Sequence, residues 1–200
     1  MKKLCLPACV VFLASAASAF AEPYWYTYEG NALPETEGWY HEIKGTPAQR
    51  WVEDGSLAID SRGDTLTTDS YSWFFDDSLD PGENETFIMS CRLKPTAVTG
   101  FCDPAVIIKS DEFYAVGLIF NEGIVRSLYE ANMSVTYEPG VYHEFTLMST
   151  DMRNYELYID GHSSLSGVLM DVLGPAQVTW GDLTQGGESL TYWDYVRFGV

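Results

Sequence analysis

The sequence has few basic residues, with 11 Lys and Arg against 29 Asp and Glu in 200 residues, and its formal net charge is −18. A surface this acidic repels phosphate backbones and anionic lipid. The composition therefore argues against nucleic-acid binding and against binding to a membrane surface, while cations are attractive partners. After residue 21 there is also no apolar run long enough to span a bilayer, so we expect no membrane insertion of the mature chain.

Several motifs of catalysis and of helical folds are also missing. Only three histidines occur, His41, His143 and His162, and none has a Cys or His neighbour at metal-ligand spacing. No Gly-x-Ser-x-Gly nucleophile motif is present. The best helical candidate, Val168 to Leu173, stops at Gly174-Pro175, and no stretch sustains helical apolar spacing. These absences argue against histidine-centred zinc or triad chemistry and against a helical fold.

Residues 1–21 have the three parts of a secretory signal peptide: two lysines, an apolar run and a small-residue end. Cleavage after Ala21 is favoured over cleavage after Ala19, and losing both lysines makes the mature chain, residues 22–200, two units more negative than −18. Leu6-Pro7-Ala8-Cys9 has the outline of a bacterial lipoprotein box, but its cysteine precedes most of the apolar run. We therefore expect a secreted or periplasmic protein.

Covalent features of the mature chain are few. Two of the four cysteines lie in the leader, which leaves Cys91 and Cys102. In an oxidising compartment, a lone pair separated by a short turn-like segment predicts one disulfide, and two buried thiols are the alternative. Glycosylation sequons occur at Asn84 and Asn132, but this short pattern arises often by chance, so their use stays undecided.

Apolar and polar residues alternate with a period of two through most of the mature chain. The segments from Phe87 to Leu93 and from Tyr155 to Ile159 show this alternation, which is typical of half-buried strands. Turn signals such as Asp54-Gly55 and Asp160-Gly161 separate the runs at short intervals. With no linker or internal repeat, residues 22–200 are predicted to form one all-β domain, an antiparallel sandwich of two sheets.

Three segments resemble the laminin-G-like and concanavalin A-like jelly rolls: Tyr142–Leu147, Tyr155–Gly161 and Trp193–Phe198. In those families an aromatic-led strand precedes a strand that ends in a similar Asp-Gly hairpin. The third segment also resembles the last strand of laminarinase-type glucanases. The resemblance implies a two-sheet jelly roll whose last strand, Thr191 to Phe198, pairs near the amino-terminal strand. Because this fold carries lectins, glycosidases, lyases and adhesion modules alike, it points to extracellular glycans rather than to one activity.

The chain departs from the glucanases at the residues that carry their chemistry. Those enzymes use a Glu-x-Asp-x-x-Glu strand, since a retaining mechanism needs carboxyl groups about 5 Å apart. This motif is missing, and the nearest carboxylates on one strand face, Glu156 and Asp160, are roughly 13 Å apart. The sequence therefore favours a protein that is not an enzyme, and we assign no catalytic residue.

The acidic run that contains Asp76 and Asp80 is one candidate calcium site, because its oxygen side chains alternate. A solvated acidic turn is the favoured interpretation of this run, since the chain is acidic throughout.

A second candidate for structural Ca²⁺ follows from the resemblance. In those jelly rolls, an aspartate on the last strand joins main-chain carbonyls near the amino-terminal strand to hold the ion. Here Asp194 would take that role, with the carbonyls of Glu29 and Gly30. The alternative is an Asp194 carboxylate paired with Arg197 or with a backbone amide, because hard oxygen ligands alone do not identify a metal.

Strings of aromatic residues such as Trp73-Phe74-Phe75 must place at least one ring outside the core, because neighbours on a strand face opposite sides. An exposed ring beside polar side chains suits stacking on a sugar, although filling space beneath a loop is the simpler alternative. We predict a carbohydrate-binding or adhesion-type module whose partner is an extracellular glycan, with the ligand-binding residues unassigned.

Two other functions stay open. A polysaccharide-degrading enzyme, either hydrolase or lyase, would need an active site of unfamiliar form. The candidate residues for lyase chemistry are Tyr142, His143, Arg126 and Arg153. Lyase substrates are usually polyanionic, however, and a chain poor in Lys and Arg is ill suited to hold them. A structural envelope protein without a ligand is the third possibility.

Overall fold

The structure is a computed structural model, and it describes residues 26–63, 68–74, 85–99, 104–110, 114–130, 132–172, 174–183 and 187–199. Within these ranges the only helix is a short 3-10 turn, Pro34–Glu37, and none is long and apolar enough to cross a bilayer. The predicted signal peptide lies outside the described residues. So do six residues of the mature chain named above: Phe75, Asp76, Asp80, Asn84, Cys102 and Leu173.

Eight strands form the first sheet, called sheet A. They are β1 (Tyr26–Tyr28), β3 (Gln49–Glu53), β4 (Ser56–Asp60), β6 (Phe87–Thr99), β11 (His143–Ser149), β12 (Asn154–Ile159), β13 (His162–Val168) and β16 (Glu188–Gly199). Their order is β13-β12-β11-β6-β16-β4-β3, and β1 pairs with β16.

Eight further strands form the second sheet, called sheet B. They are β2 (Tyr40–Lys44), β5 (Thr68–Phe74), β7 (Ala105–Lys109), β8 (Tyr114–Asn121), β9 (Ile124–Ser127), β10 (Ser134–Thr136), β14 (Met170–Asp171) and β15 (Gln177–Asp182). Their order is β10-β9-β8-β7-β15-β5-β2, and β14 pairs with β8.

The last strand pairs where the sequence predicts. In β16, Phe198 lies opposite Tyr26 and Val196 lies opposite Tyr28, so the carboxy-terminal strand is bonded to the amino-terminal one. The described pairs are antiparallel, which confirms the all-β two-sheet sandwich and is consistent with a jelly roll. The described part of the helical candidate, residues 168–172, is not a helix: Val168 ends β13 and Met170 begins β14, because both segments bond to neighbouring strands.

Period-two alternation produces the core between the sheets. On β6, Phe87, Met89, Cys91 and Leu93 are at most 2% exposed in the core, while the alternate residues Ile88, Ser90 and Arg92 face the other side. The two sheets meet at Trp180 of sheet B and Trp193 of sheet A, whose ring centroids are 4.9 Å apart and which are both fully buried. Truncation of either ring to Ala would cost about 3–5 kcal/mol.

The Asp-Gly pairs form hairpin turns, as predicted. Asp54 and Asp160 both have φ of 51°, and Gly55 and Gly161 both have φ of 77°. Consecutive left-handed residues match the twist of antiparallel strands, which is why Asp-Gly is favoured there.

Candidate functional site

Two exposed aromatic rings lie on the outer face of sheet B. On β5, Trp73 packs against the core, so its neighbour Phe74 points outward and is 48% exposed. Tyr40 on the edge strand β2 is 55% exposed, and its ring centroid lies 5.8 Å from that of Phe74 in an edge-to-face contact. The expectation that the Trp73-Phe74 string places one ring outside the core is therefore confirmed.

Polar side chains continue the row that starts at Phe74. Gln177 on β15 lies directly opposite Phe74, and Lys109 on β7 lies directly opposite Gln177. Side chains of such cross-strand partners start about 4.5–5.5 Å apart on one face. The row therefore continues from the ring to an amide on the next strand and to an ammonium-bearing residue on the strand after that. We call Tyr40, Phe74, Gln177 and Lys109 the sheet B platform.

The sheet B platform has the chemistry of binding rather than of acid catalysis. Its rings offer flat apolar faces, and its amide and ammonium supply hydrogen-bond donors and one acceptor. In the next row, the hydroxyl oxygens of Ser72 and Thr179 are hydrogen-bonded to each other at 2.9 Å. Both side chains are small, so they do not project far above the sheet. None of these side chains is a carboxylate, so they provide no general acid for glycoside hydrolysis.

A pair of carboxylates does occur further along the same two strands, β5 and β15, but both side chains are buried. Asp69 on β5 and Asp182 on β15 are cross-strand partners, and they are 0% and 1% exposed. Oδ1 of Asp69 lies 2.8 Å from Nε2 of His41. Burial raises the pKa of Asp69 more than His41 and Arg50 lower it, so the net shift is upward. Sequence spacing does not reveal this pair, because its members lie on strands far apart in the chain.

Glu156 and Asp160, the nearest carboxylates on one strand face in the sequence, bond to different partners. Glu156 accepts a hydrogen bond from the Tyr158 hydroxyl, and Asp160 bonds to His143. A cavity of about 450 Å³ lies beside Glu156, lined also by Asn154, Ser166 and Tyr155. This cavity offers polar groups but no exposed ring, since Tyr155 is 2% exposed.

The four residues considered for lyase chemistry are not gathered into one site. Nε2 of His143 lies 2.9 Å from a carbonyl oxygen, Arg126 lies on β9 of the other sheet, and the Arg153 guanidinium is 5.7 Å from the Tyr114 ring centroid. The Tyr142 hydroxyl donates to Ser56 Oγ at 2.8 Å on the outer face of sheet A.

The residues of the second calcium candidate have salt-bridge partners. Asp194 pairs with Arg92 rather than with Arg197. Arg197 forms two bonds to the Glu29 carboxylate, at 3.0 and 2.8 Å. Among the described residues, no cluster of three or more His, Cys, Asp or Glu side chains is arranged to hold a metal.

Main-chain oxygens nevertheless converge next to Gly30. A β-carbon at Gly30 would lie 2.5 Å from the Gly55 carbonyl oxygen, 2.6 Å from that of Asp194 and 3.1 Å from that of Trp193. The three carbonyls therefore surround a small volume that only a glycine leaves open. Carbonyl oxygens are hard donors of the kind that Ca²⁺ prefers. The sequence pointed to Gly30 and Asp194 but missed the carbonyl of Gly55.

Cys91 is 2% exposed in the core between the sheets, and it has no disulfide partner among the described residues. Burial strongly raises the pKa of the thiol, so it stays protonated and unreactive at neutral pH. Cys102 lies outside the described residues, and the Cys91–Cys102 disulfide stays a prediction.

No family model and no curated protein sequence matches this chain. Solved structures do. The carbohydrate esterase of the Shiga toxin-encoding bacteriophage phi24B aligns over 88% of this chain and 97% of its own, with a TM-score of 0.64 and 9% identity. A glycosyl hydrolase family protein from Mycobacterium fortuitum aligns over 88% and 99%, with a TM-score of 0.53 and 13% identity.

The receptor binding domain of the botulinum neurotoxin C/D mosaic serotype is also similar. It has a TM-score of 0.54 and 12% identity, and the match covers 88% of this chain and 48% of the toxin domain. At such identities the similarity shows a shared sandwich fold, and a fold by itself does not assign a function.

Proposed function

We propose that this protein is an exported, non-catalytic carbohydrate-binding or adhesion domain, and that its glycan lies across the outer face of sheet B. The observation that carries this proposal is the exposed Tyr40–Phe74 pair beside Gln177 and Lys109. Stacking of a sugar ring on an aromatic face, combined with hydrogen bonds to its hydroxyls, is the interaction that these four side chains provide.

Two further observations support this proposal. The sequence begins with the features of a signal peptide, and extracellular glycans meet exported proteins. In addition, three proteins of the same fold have names that refer to carbohydrate or receptor recognition: an esterase, a glycosyl hydrolase family protein and a toxin receptor binding domain. The proposal extends that general theme to this chain through the sheet B platform.

The experiment is a glycan array combined with a reducing-sugar assay on the mature protein and on the variants Phe74→Ala and Tyr40→Ala. Ile43→Ala is the matched control, because Ile43 is a 40% exposed apolar residue on the same strand as Tyr40. We expect glycan retention without product release, and roughly tenfold weaker binding, or 1.4 kcal/mol, for each ring variant but not for the control.

Loss of retention in the control to the same extent would contradict a specific platform. Silence of the wild-type protein in both assays would instead support a structural envelope role.

Hydrolysis is the second candidate function, and the cross-strand pair Asp69 and Asp182 favours it. Their β-carbons, as cross-strand partners, start about 4.5–5.5 Å apart, close to the roughly 5 Å separation of carboxyl groups that retaining glycosidases use. His41 beside Asp69 and the upward pKa shift of Asp69 suit a proton donor. Product release that Asp69→Asn or Asp182→Asn abolishes, with folding unchanged by circular dichroism, would replace the binding proposal with this one.

Structural calcium completes the proposal. The ion would be held by the carbonyl oxygens of Gly55, Trp193 and Asp194 together with the Asp194 carboxylate. When bound, it would supply only charge and rigidity, by tying the residues after β1 to the β3–β4 turn and to β16. In a strongly acidic chain, a bound divalent cation also lowers the electrostatic repulsion of the folded state.

A further inference from the structure

A separate cavity of about 250 Å³ opens on the outer face of sheet A, on the other side of the sandwich from the sheet B platform. Its walls come from β6, β16, the β3–β4 turn and the residue before β11. Two basic side chains, Arg92 and Lys94, lie on alternate positions of β6 and face outward together. Two tyrosines, Tyr142 and Tyr192, stand on either side of Lys94.

Lys94 is held by aromatic rings. Its Nζ lies 4.3 Å from the ring centroid of Tyr192 and 4.8 Å from that of Tyr142. Within the part of the chain that the structure describes, this ammonium forms no ion pair with a carboxylate. Ring faces attract a cation but accept no strong hydrogen bond, so the three N–H donors of Lys94 remain available inside the cavity.

The other cations near this face are already neutralised. Arg92 pairs with Asp194, and Arg62 donates to both carboxylate oxygens of Asp60. Among the described basic residues, Lys44, Arg50, Arg62, Arg92 and Arg197 each pair with a carboxylate, whereas Lys94 does not and can pair with a ligand. Lys94 therefore brings into the cavity a positive charge that no described carboxylate pairs with at salt-bridge distance.

Acceptors also line this cavity. Glu53 and Asp54, from the β3–β4 turn, both border it. A simple anion would meet these carboxylates without any donor to offer them. A neutral sugar would donate hydroxyls to them but leave the Lys94 charge unpaired. A ligand that carries one carboxylate and several hydroxyls can pair with the Lys94 ammonium and also donate hydrogen bonds to Glu53 and Asp54.

We propose that this cavity is a second ligand site, specific for a single acidic sugar unit of the uronic acid class, whose carboxylate pairs with Lys94 and whose hydroxyls donate to Glu53 and Asp54. The cavity volume of about 250 Å³ lies just below the roughly 300–1,000 Å³ of pockets that bind drug-sized molecules, so it holds one sugar unit rather than a chain. The site is independent of the sheet B platform.

The test is calorimetric and NMR titration of the intact mature protein with glucuronate, galacturonate and their methyl esters, which keep the shape of the sugar but remove its charge. We expect at least one of the two acids to bind at least tenfold more tightly than its ester. Lys94→Gln should abolish that preference, whereas Lys94→Arg, which keeps the charge, should retain it.

Lys44→Gln is the matched control, since Lys44 is 65% exposed and paired with Glu42. This variant, like Phe74→Ala, should keep full preference for the acid. Equal affinity for acid and ester, absence of uronate binding at millimolar concentration, or a preference that survives Lys94→Gln would each overturn the proposal. Loss of the preference in Phe74→Ala would show that the two faces are not independent sites.

Discussion

Nδ1 of His143 lies 2.6 Å from Oδ2 of Asp160, and this contact joins the start of β11 to the turn that follows β12. The other carboxylate oxygen of Asp160 accepts a hydrogen bond from the Glu144 N–H at 3.0 Å. Partial burial acts to raise the pKa of Asp160, but the bonds from Glu144 and His143 outweigh it, and the net shift is downward.

This downward shift predicts an acid-dependent contribution to stability. A carboxylate whose folded-state pKa is below its unfolded value, about 3.9, stabilises the protein above that pH, and the contribution is lost as pH falls through the folded pKa. We expect Asp160→Asn to lower the free energy of unfolding by about 1 kcal/mol at pH 7, a modest value because the side chain is 50% exposed. The difference from wild type should shrink toward zero as the pH falls below 4.

The measurement is urea unfolding of both proteins across this pH range. Asp54→Asn is the matched control, because Asp54 also has φ of 51° before a glycine, and asparagine tolerates that conformation. A wild-type to Asp160→Asn difference that stays constant with pH would show that the carboxylate charge contributes nothing.

Gly30 should be less replaceable than Gly140, another left-handed glycine. Gly30→Ala forces a β-carbon to within 2.5 and 2.6 Å of two carbonyl oxygens, in addition to the cost of φ at +69°. Gly140→Ala is the control, since Gly140 has φ of +77° and nothing within 4 Å of the added carbon. We expect Gly140→Ala to lose about 1–2 kcal/mol, and Gly30→Ala to lose about 1–3 kcal/mol more. Equal losses in thermal unfolding would contradict the crowded geometry at Gly30.

Calcium should raise the melting temperature of the mature protein, and a chelator should reverse the effect. A ligand at 100 times its dissociation constant adds about 2.7 kcal/mol of stability. Asp194→Asn should weaken the response. Arg92→Gln should strengthen it, because Arg92 competes for the same carboxylate. An unchanged melting temperature in the wild-type protein would remove the calcium site.

The Cys91–Cys102 disulfide can be decided by mass and by thiol labelling. If the bridge forms in the exported protein, reduction should add about 2 Da, and no thiol should label even in denaturant. Labelling must be done in denaturant, because Cys91 is 2% exposed and protected from reagents in the folded state. Two labelled thiols per chain would show that Cys91 is simply a core residue.

Local sequence pattern was sufficient to predict the architecture. The alternation at Phe87, Met89 and Leu93 places every second side chain in the core, and this period follows from strand geometry alone. Asp-Gly pairs such as Asp160-Gly161 predict hairpins for an equally local reason, because few other residue pairs adopt left-handed conformations in succession. Two sheets then follow, since strands without helices can only cover one another.

The surroundings of the calcium candidate were half predictable, and the ion itself stays a prediction. Asp194 and Gly30 were named from the sequence through resemblance to known jelly rolls, and β1–β16 pairing brings them together. The carbonyl of Gly55 was not predictable, because every residue carries a carbonyl and only the turn between β3 and β4 aims this one at Gly30. The Asp194 partner was also missed, since Arg92 reaches it from a neighbouring strand.

Only the tertiary structure decided which residues share a surface. Phe74, Gln177 and Lys109 lie on three strands that are distant in the chain, and their common row exists because β15 pairs with β5 on one side and with β7 on the other. The position of Lys94 between Tyr142 and Tyr192 likewise depends on strand order and register. The sequence by itself determined the two-residue alternation of apolar and polar side chains, the positions of the turns and hence the sandwich, because these features depend on neighbouring residues. The sites depend on register between strands, which is settled only when the whole core packs.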